Sequence, residues 1–191
     1  MASATEECPS SSDQHDGGGQ PTDAASGGEK KGKSGRRALV HPRAVLTGTV
    51  ELSDGCCIGA ATIIDGGQGG IFFGKNTVVE DRVKITNSGP TPMTIGRYTW
   101  IEDEAVLQNV QKIGDFVRVE AGAKVVDCEE LGNGCNVAAG AKVEKRGSVG
   151  AQTVFFGHAG VMVHDPSCMV RQAASAVAHL PTHRRLLDSH V

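Results

Sequence analysis

From Val40 the same kind of residue recurs every six positions: Val40, Leu46, Leu52, Ile58 and Ile64. The register slips by three through Asp65-Gly66-Gly67-Gln68-Gly69-Gly70 and resumes at Phe73, Val79 and Ile85. It slips by four through Thr86 to Thr94. It then runs unbroken through Ile95, Ile101, Leu107, Ile113, Val119, Val125, Leu131, Val137, Val143, Val149, Phe155 and Val161. All twenty positions are aliphatic or Phe, in a chain that is 39% hydrophobic. In a fixed register, chance would produce this roughly once in 10⁸ trials.

Two further positions keep the same beat. The residue after the aliphatic is often Gly, Ala, Asp or Glu, as at Gly59, Gly74, Glu80, Gly96, Glu102, Gly114 and Glu120. The fifth is mostly small, as at Cys56, Thr62, Thr77, Thr99, Ala105, Ala123, Cys135, Ala141 and Thr153. A period of six with an inward aliphatic and a small corner residue predicts an all-β solenoid, a parallel β-helix of triangular coils. Each hexad supplies one short strand and one turn, three hexads close a coil, and each aliphatic stacks on the one eighteen positions on. Twenty hexads predict about seven coils, a prism roughly 30 Å tall. Proteins with this hexad pattern are left-handed. Each slip expels a loop, and the one ending at Pro90-Thr91-Pro92-Met93 projects from an edge.

The pattern divides the chain in three: a polar N-terminal tail over 1–38, the β-helix over 39–164, and a C-terminal helical segment over 165–191. In the last, Asp165-Pro166 or Ser167 caps a start, and Val170, Ala173, Ala174 and Val177 keep helical spacing. Pro181 then interrupts, so the expectation is one broken helix against the prism or over its end.

Residues 1–38 hold no Val, Ile, Leu, Phe, Tyr or Trp, and so are expected to be disordered. Their acidic front (Glu6, Glu7, Asp13, Asp16, Asp23) gives way to a basic end (Lys30, Lys31, Lys33, Arg36, Arg37). Gly27, Gly32, Lys33 and Ser34 match the spacing of a phosphate-binding loop. Neither the strand nor the helix that this loop needs flanks them, so the match is accidental. The net charge of −3 gives no basic face, and nucleic acid is not an expected partner. No apolar stretch approaches the length of a membrane span, and no membrane insertion is expected. The six Cys lack a CxxC pair and are read as reduced cytosolic thiols. Cys56 and Cys135 read as core, and Cys57, Cys128 and Cys168 form no ligand spacing.

Hexad prisms host acyl transfer with a His base, and zinc chemistry with three His from two neighbouring subunits. Laid in register on the zinc-binding γ-class carbonic anhydrase pattern, this chain puts Gln108, Ala121 and Val126 at the three ligand positions. None is His, and zinc binding is set aside. His158 and His164 lie six apart, on adjacent faces. His179 and His183 have helical metal-ligand spacing, but Pro181 lies between them and they read as an exposed pair. No catalytic, cofactor-binding or metal-binding residue is therefore expected, and no cofactor.

Four segments carry a more specific likeness. They are Ala61 to Asp81, with its Gly-rich slip and acidic pair; Pro92-Met93-Thr94-Ile95-Gly96; Thr153-Val154-Phe155-Phe156-Gly157; and Leu180-Pro181-Thr182-His183-Arg184-Arg185-Leu186. Over about residues 40 to 188 the chain resembles the dynactin subunit 6 family, β-helical subunits of the dynactin pointed-end complex. It departs near Ser53-Asp54-Gly55, where that family has Arg-Gly-Asp. The resemblance implies a non-catalytic scaffold beside dynactin subunit 5, dynactin subunit 4 and actin-related protein. It also implies service to dynein-driven transport and to cargo adaptors, in the cytoplasm and on the cytoskeleton. Two alternatives stand beside it: a homotrimeric hexapeptide-repeat enzyme (acyltransferase or γ-carbonic-anhydrase-like), and a structural subunit of a mitochondrial complex.

Overall fold

A computed structural model describes residues 33–34, 38–157 and 161–190. The strands in chain order are β1 Lys33–Ser34, β2 Leu39–Val40, β3 Val45–Thr47, β4 Val50–Leu52, β5 Cys57–Ile58, β6 Ile63–Asp65, β7 Ile71–Phe73, β8 Val78–Val79, β9 Lys84–Thr86, β10 Met93–Ile95, β11 Trp100–Ile101, β12 Val106–Gln108, β13 Lys112–Ile113, β14 Arg118–Val119, β15 Lys124–Leu131, β16 Asn136–Val137, β17 Lys142–Val149, β18 Thr153–Phe156 and β19 Val161–His164, followed by helix α1, Cys168–Asp188.

These strands wind into a parallel prism of about six turns. One face is the ladder β2-β5-β8-β11-β14-β16-β18, with β19 added at its end. The other two faces form one continuous sheet, because β15 and β17 each run through the corner between them without a break. The register repeats the sequence arithmetic. Leu107 pairs with Val125 and Val119 with Val137, eighteen apart. Across the first slip the offset is 21 (Leu52 with Phe73, Ile58 with Val79), and across the second 22 (Phe73 with Ile95, Val79 with Ile101). The expelled residues stack at one edge, where the buried Asn87 side chain donates to both Gly70 O and Thr91 O at 2.9 Å.

From Leu52 to Phe155 the hexad aliphatics are buried and form one core. Burial at roughly 25 cal/mol per Å² of apolar surface is what holds so short a set of strands together. The small fifth residues fill the corners and lend their polar atoms to the next rung. Thr62, Thr77 and Thr99 hydroxyls donate to Glu80 O, Gly96 O and Gly114 O at 2.6, 2.8 and 3.0 Å. Cys56 and Cys135 do the same toward Gly74 O and Gly150 O. The glycines after the aliphatics answer to close approach between rungs. A Cβ at Gly96 would lie 2.3 Å from Gly114 O, and one at Gly114 only 2.7 Å from Asn133 N.

Three sequence expectations need correction. Val161, placed inside the prism by its period, is exposed, because the chain turns back after Phe155 and β19 runs antiparallel to β18. The last hexad therefore adds no coil, which leaves about six turns rather than seven. Lys33–Ser34, in the stretch expected to lack structure, pairs with Glu51–Leu52. Backbone hydrogen bonds at a free sheet edge need no apolar side chain. The rest of 1–37 lies outside the described residues. Finally, α1 is one continuous helix through Pro181. Pro181 is exposed, and having no N–H it removes only the one intrahelical bond to the Val177 carbonyl.

Candidate functional site

Helix α1 lies along the face built on β2 to β18. At 1.5 Å per residue its 21 residues span about 31 Å, the height of the prism. Its inward stripe is Cys168, Gln172, Ala176, Leu180, His183 and Leu187, none of them exposed. The helix sits close at its start, where a Cβ on Gly134 would meet Met169 Cβ at 2.4 Å. At its far end Leu187 and Leu180 cover Cys57, Val78 and Leu39, and Arg184 Nη1 donates to Gly55 O at 2.7 Å.

Beneath the helix the prism presents a repeated polar ladder. Trp100 Nε1 donates to Glu80 Oε1 at 2.7 Å, Arg118 Nε to Glu102 Oε1 at 2.5 Å, and Asn136 Nδ2 to Glu120 Oε1 at 2.9 Å. The second oxygen of each carboxylate accepts a backbone N–H from the following coil, at Asp103, Ala121 and Ala139. Acidic residues recur after the aliphatic because there they bind two groups of the next rung at once.

Between this ladder and α1 is a groove of about 300 Å³ lined by Glu80, Trp100, Arg118, Ser175, His179, Thr182, His183 and Leu186. Arg118 Nη1 donates to Ser175 Oγ at 3.1 Å across it. His183 is half-buried and edge-on to Trp100. Its Nε2 is buried and has no hydrogen-bond partner in the structure. Burial pushes the imidazole below its usual range, and the carboxylates of Glu80, Asp81 and Asp103 pull weakly the other way. A neutral imidazole with a free ring nitrogen can take up a proton.

His183 is thus not one of an exposed pair, although His179 is exposed. The inward stripe on α1 was the signal for this; it lies off Pro181, which reads as an interruption only along the chain. His164 ends β19 opposite Thr153 and is exposed, and His158 lies outside the described residues. Gln108 and Val126 pair on neighbouring rungs of an open face, with Ala121 exposed at a corner. Among the described residues no group of three His, Cys, Asp or Glu is placed to hold a metal ion, and no helix is long and apolar enough to cross a membrane. Cys56, Cys57, Cys128, Cys135 and Cys168 are all buried and free.

No family model matches the chain. It is 29% identical over 91 residues to the Bifunctional protein GlmU of Alkaliphilus metalliredigens (strain QYMF), taking in 47% of this chain and 19% of that protein's length. Among solved structures it is similar to a candidate acetyltransferase from Bacillus cereus. The TM-score is 0.75 at 18% identity, over 84% of this chain and 94% of that one. It is also similar to a hexapeptide transferase family protein from Anaplasma phagocytophilum. There the TM-score is 0.71 at 18% identity, over 80% and 91%. These comparisons correct the expectation of a chain without enzymatic activity, because the two solved structures it is similar to are described as an acetyltransferase and a hexapeptide transferase family protein. The fold is the left-handed parallel β-helix of hexapeptide-repeat proteins, closed on one face by a C-terminal helix.

Proposed function

We propose that this chain is a hexapeptide-repeat acyl-group transferase, with its acceptor site in the groove under α1. The observation that carries the reading is His183, a neutral imidazole whose Nε2 has no partner and which lines a groove with Ser175, Arg118 and Glu80. The likeness to GlmU over 91 residues supports it. The His183 imidazole takes the proton of an acceptor amine or hydroxyl as that atom bonds to the acyl carbon of a thioester. The C–S bond breaks, and the leaving thiolate recovers the proton from the imidazolium. A volume of about 300 Å³ admits a small acceptor and an acyl group, at the low end of ligand sites, so the donor's carrier arm extends outside. The test is release of free thiol from acetyl-coenzyme A with a panel of small amines and hydroxyl compounds. Turnover that falls at least 100-fold in His183→Ala supports the reading, and turnover indifferent to that change overturns it.

A specific observation favours a second reading. The Leu180 to Leu186 segment, which carries the resemblance to dynactin subunit 6, is also the segment that seats α1 through Leu180, His183 and Arg184. On this reading the chain is an interaction subunit at the dynactin pointed end. It works with dynactin subunit 5, dynactin subunit 4 and actin-related protein, and serves cargo adaptors in the cytoplasm. Native purification followed by mass spectrometry tests it: those subunits co-purify, or the reading fails.

A further inference from the structure

We infer that the groove under α1 takes a cationic acceptor, an aliphatic compound anchored by one ammonium group while a second amine or a hydroxyl on the same chain is acylated. The inference rests on the reading of this groove as the acceptor site, and adds the charge of what enters it. Three observations lead there.

First, the wall of the groove carries negative charge that no side chain offsets. Glu80 and Glu102 stand on successive coils beneath α1, each followed by an aspartate, Asp81 and Asp103. Glu102 is paired with Arg118, and Asp103 and Glu104 share Arg82 at 3.8 and 3.1 Å. Among the described residues neither Glu80 nor Asp81 forms an ion pair. Both are half-buried, so their field is screened less than that of a carboxylate in open solvent. Glu80 lines the groove itself. Its oxygens accept from Trp100 Nε1 and Asp103 N, neutral donors that leave its charge in place. Each oxygen keeps a lone pair for a further donor.

Second, the cations nearby are committed elsewhere. Arg118 alone among the lining residues is an Arg or Lys. Its Nε and Nη2 reach Glu102 and its Nη1 donates to Ser175 Oγ. On α1, Arg171 reaches Asp165, Arg184 donates to Gly55 O, and Arg185 lines a separate hollow with Leu39 and Pro181. An anionic acceptor would therefore meet Glu80 with no uncommitted cation to receive it.

Third, His183 sits in the groove and senses its field. Beside burial, which is the larger effect, the charges acting on its imidazole are the carboxylates of Glu80, Asp81 and Asp103, and all three favour positive charge there. An ammonium group entering the groove feels the same pull. It brings three N–H donors, and Glu80, Ser175 and Thr182 line the groove with oxygens that accept. In the transfer this anchoring group keeps its protons. The second amine or hydroxyl bonds to the acyl carbon, and its proton passes through His183 to the leaving thiolate.

The test uses butanediamine, aminobutanol and aminobutanoate, four-carbon amines that differ only at the far end, which is cationic, neutral or anionic. Binding to the full chain is followed by the fluorescence of Trp100, the single tryptophan, at about pH 8 and low salt. Thiol release from acetyl-coenzyme A is followed in parallel. We expect butanediamine to bind about 10-fold more tightly than aminobutanol, aminobutanoate to bind most weakly, and the spread to shrink as salt is raised. Glu80→Gln and, separately, Asp81→Asn should narrow the ratio of butanediamine to aminobutanol; a structural defect alone would weaken both equally and leave the ratio. Glu104→Gln, whose carboxylate is already paired with Arg82, should leave it as well. Equal binding of the three compounds overturns the inference whether or not thiol is released. So does tightest binding of aminobutanoate, or a ratio that neither Glu80→Gln nor Asp81→Asn narrows. Charge-ordered binding without thiol release from any of them upholds the cationic site and overturns the transferase reading alone.

Discussion

His183 stands edge-on to Trp100, ring centroids 5.3 Å apart and planes at 69°. The contact joins the closing turns of α1 to the middle of the ladder it covers, and it places a titratable group against the chain's single tryptophan. The indole is anchored in turn by its hydrogen bond to Glu80.

The attachment of α1 therefore depends on pH. His183 has a folded pKa below its ordinary value of 6.5, so it is neutral in the docked helix and takes up a proton more readily once released. The contribution of this group is complete above about pH 6.5 and declines as pH falls through the lowered folded value. Glu80, Asp81 and Asp103 soften the effect. Trp100 fluorescence followed from pH 8 to pH 5 should show a transition in the wild type. His183→Phe, which keeps a ring but not the proton, should abolish it; a transition that survives this change would assign it to another group.

Thr99 is fully buried at a corner and donates to Gly114 O at 3.0 Å. Thr99→Val keeps the shape and removes the donor, leaving a buried carbonyl unpaired. Urea unfolding should show a loss of about 1–3 kcal/mol. Thr99→Leu adds volume where a rung meets its neighbour, and should cost more than Thr99→Val.

Burial pushes the Cys56 thiol up to about 11, against a lowering hydrogen bond from the Thr77 backbone, and it raises Cys57, Cys128, Cys135 and Cys168 as well. Thiols held protonated inside a prism are poor nucleophiles. In the native protein at pH 8 these five should resist an aromatic disulfide reagent and react only as fast as the chain unfolds. Fast labelling of Cys56 or Cys135, mapped by mass spectrometry, would contradict the corner assignment.

Much of this architecture was legible along the chain. The offsets of 21 and 22 between rungs are the two slips of three and four added to eighteen, so the stacking of Ile58 on Val79 and Val79 on Ile101 could be counted in advance. The corner roles of Cys56, Thr77 and Ala123 followed from size alone. The groove was not legible. Its walls come from Glu80, Trp100 and Arg118 on successive coils and from Ser175 and His183 on a helix far along the chain. Hexad arithmetic describes what points inward and is silent about what an outward-facing residue meets.

Val161 and Pro181 mark that boundary most clearly. Both obey or break a local rule in plain sight, and both were misread from it. A period of six states that inward burial recurs, and this alone dictates strands, coils and core, because each aliphatic must find the next at a constant rung spacing. It cannot state where the stack stops, since the last rung has no successor to repay its burial; there the chain turns back and leaves Val161 in solvent. Nor can it state which face a helix covers. That choice rests on Leu180, His183 and Leu187 finding Val78, Trp100 and Cys57, contacts between residues 83 to 130 positions apart that exist only once the prism has formed.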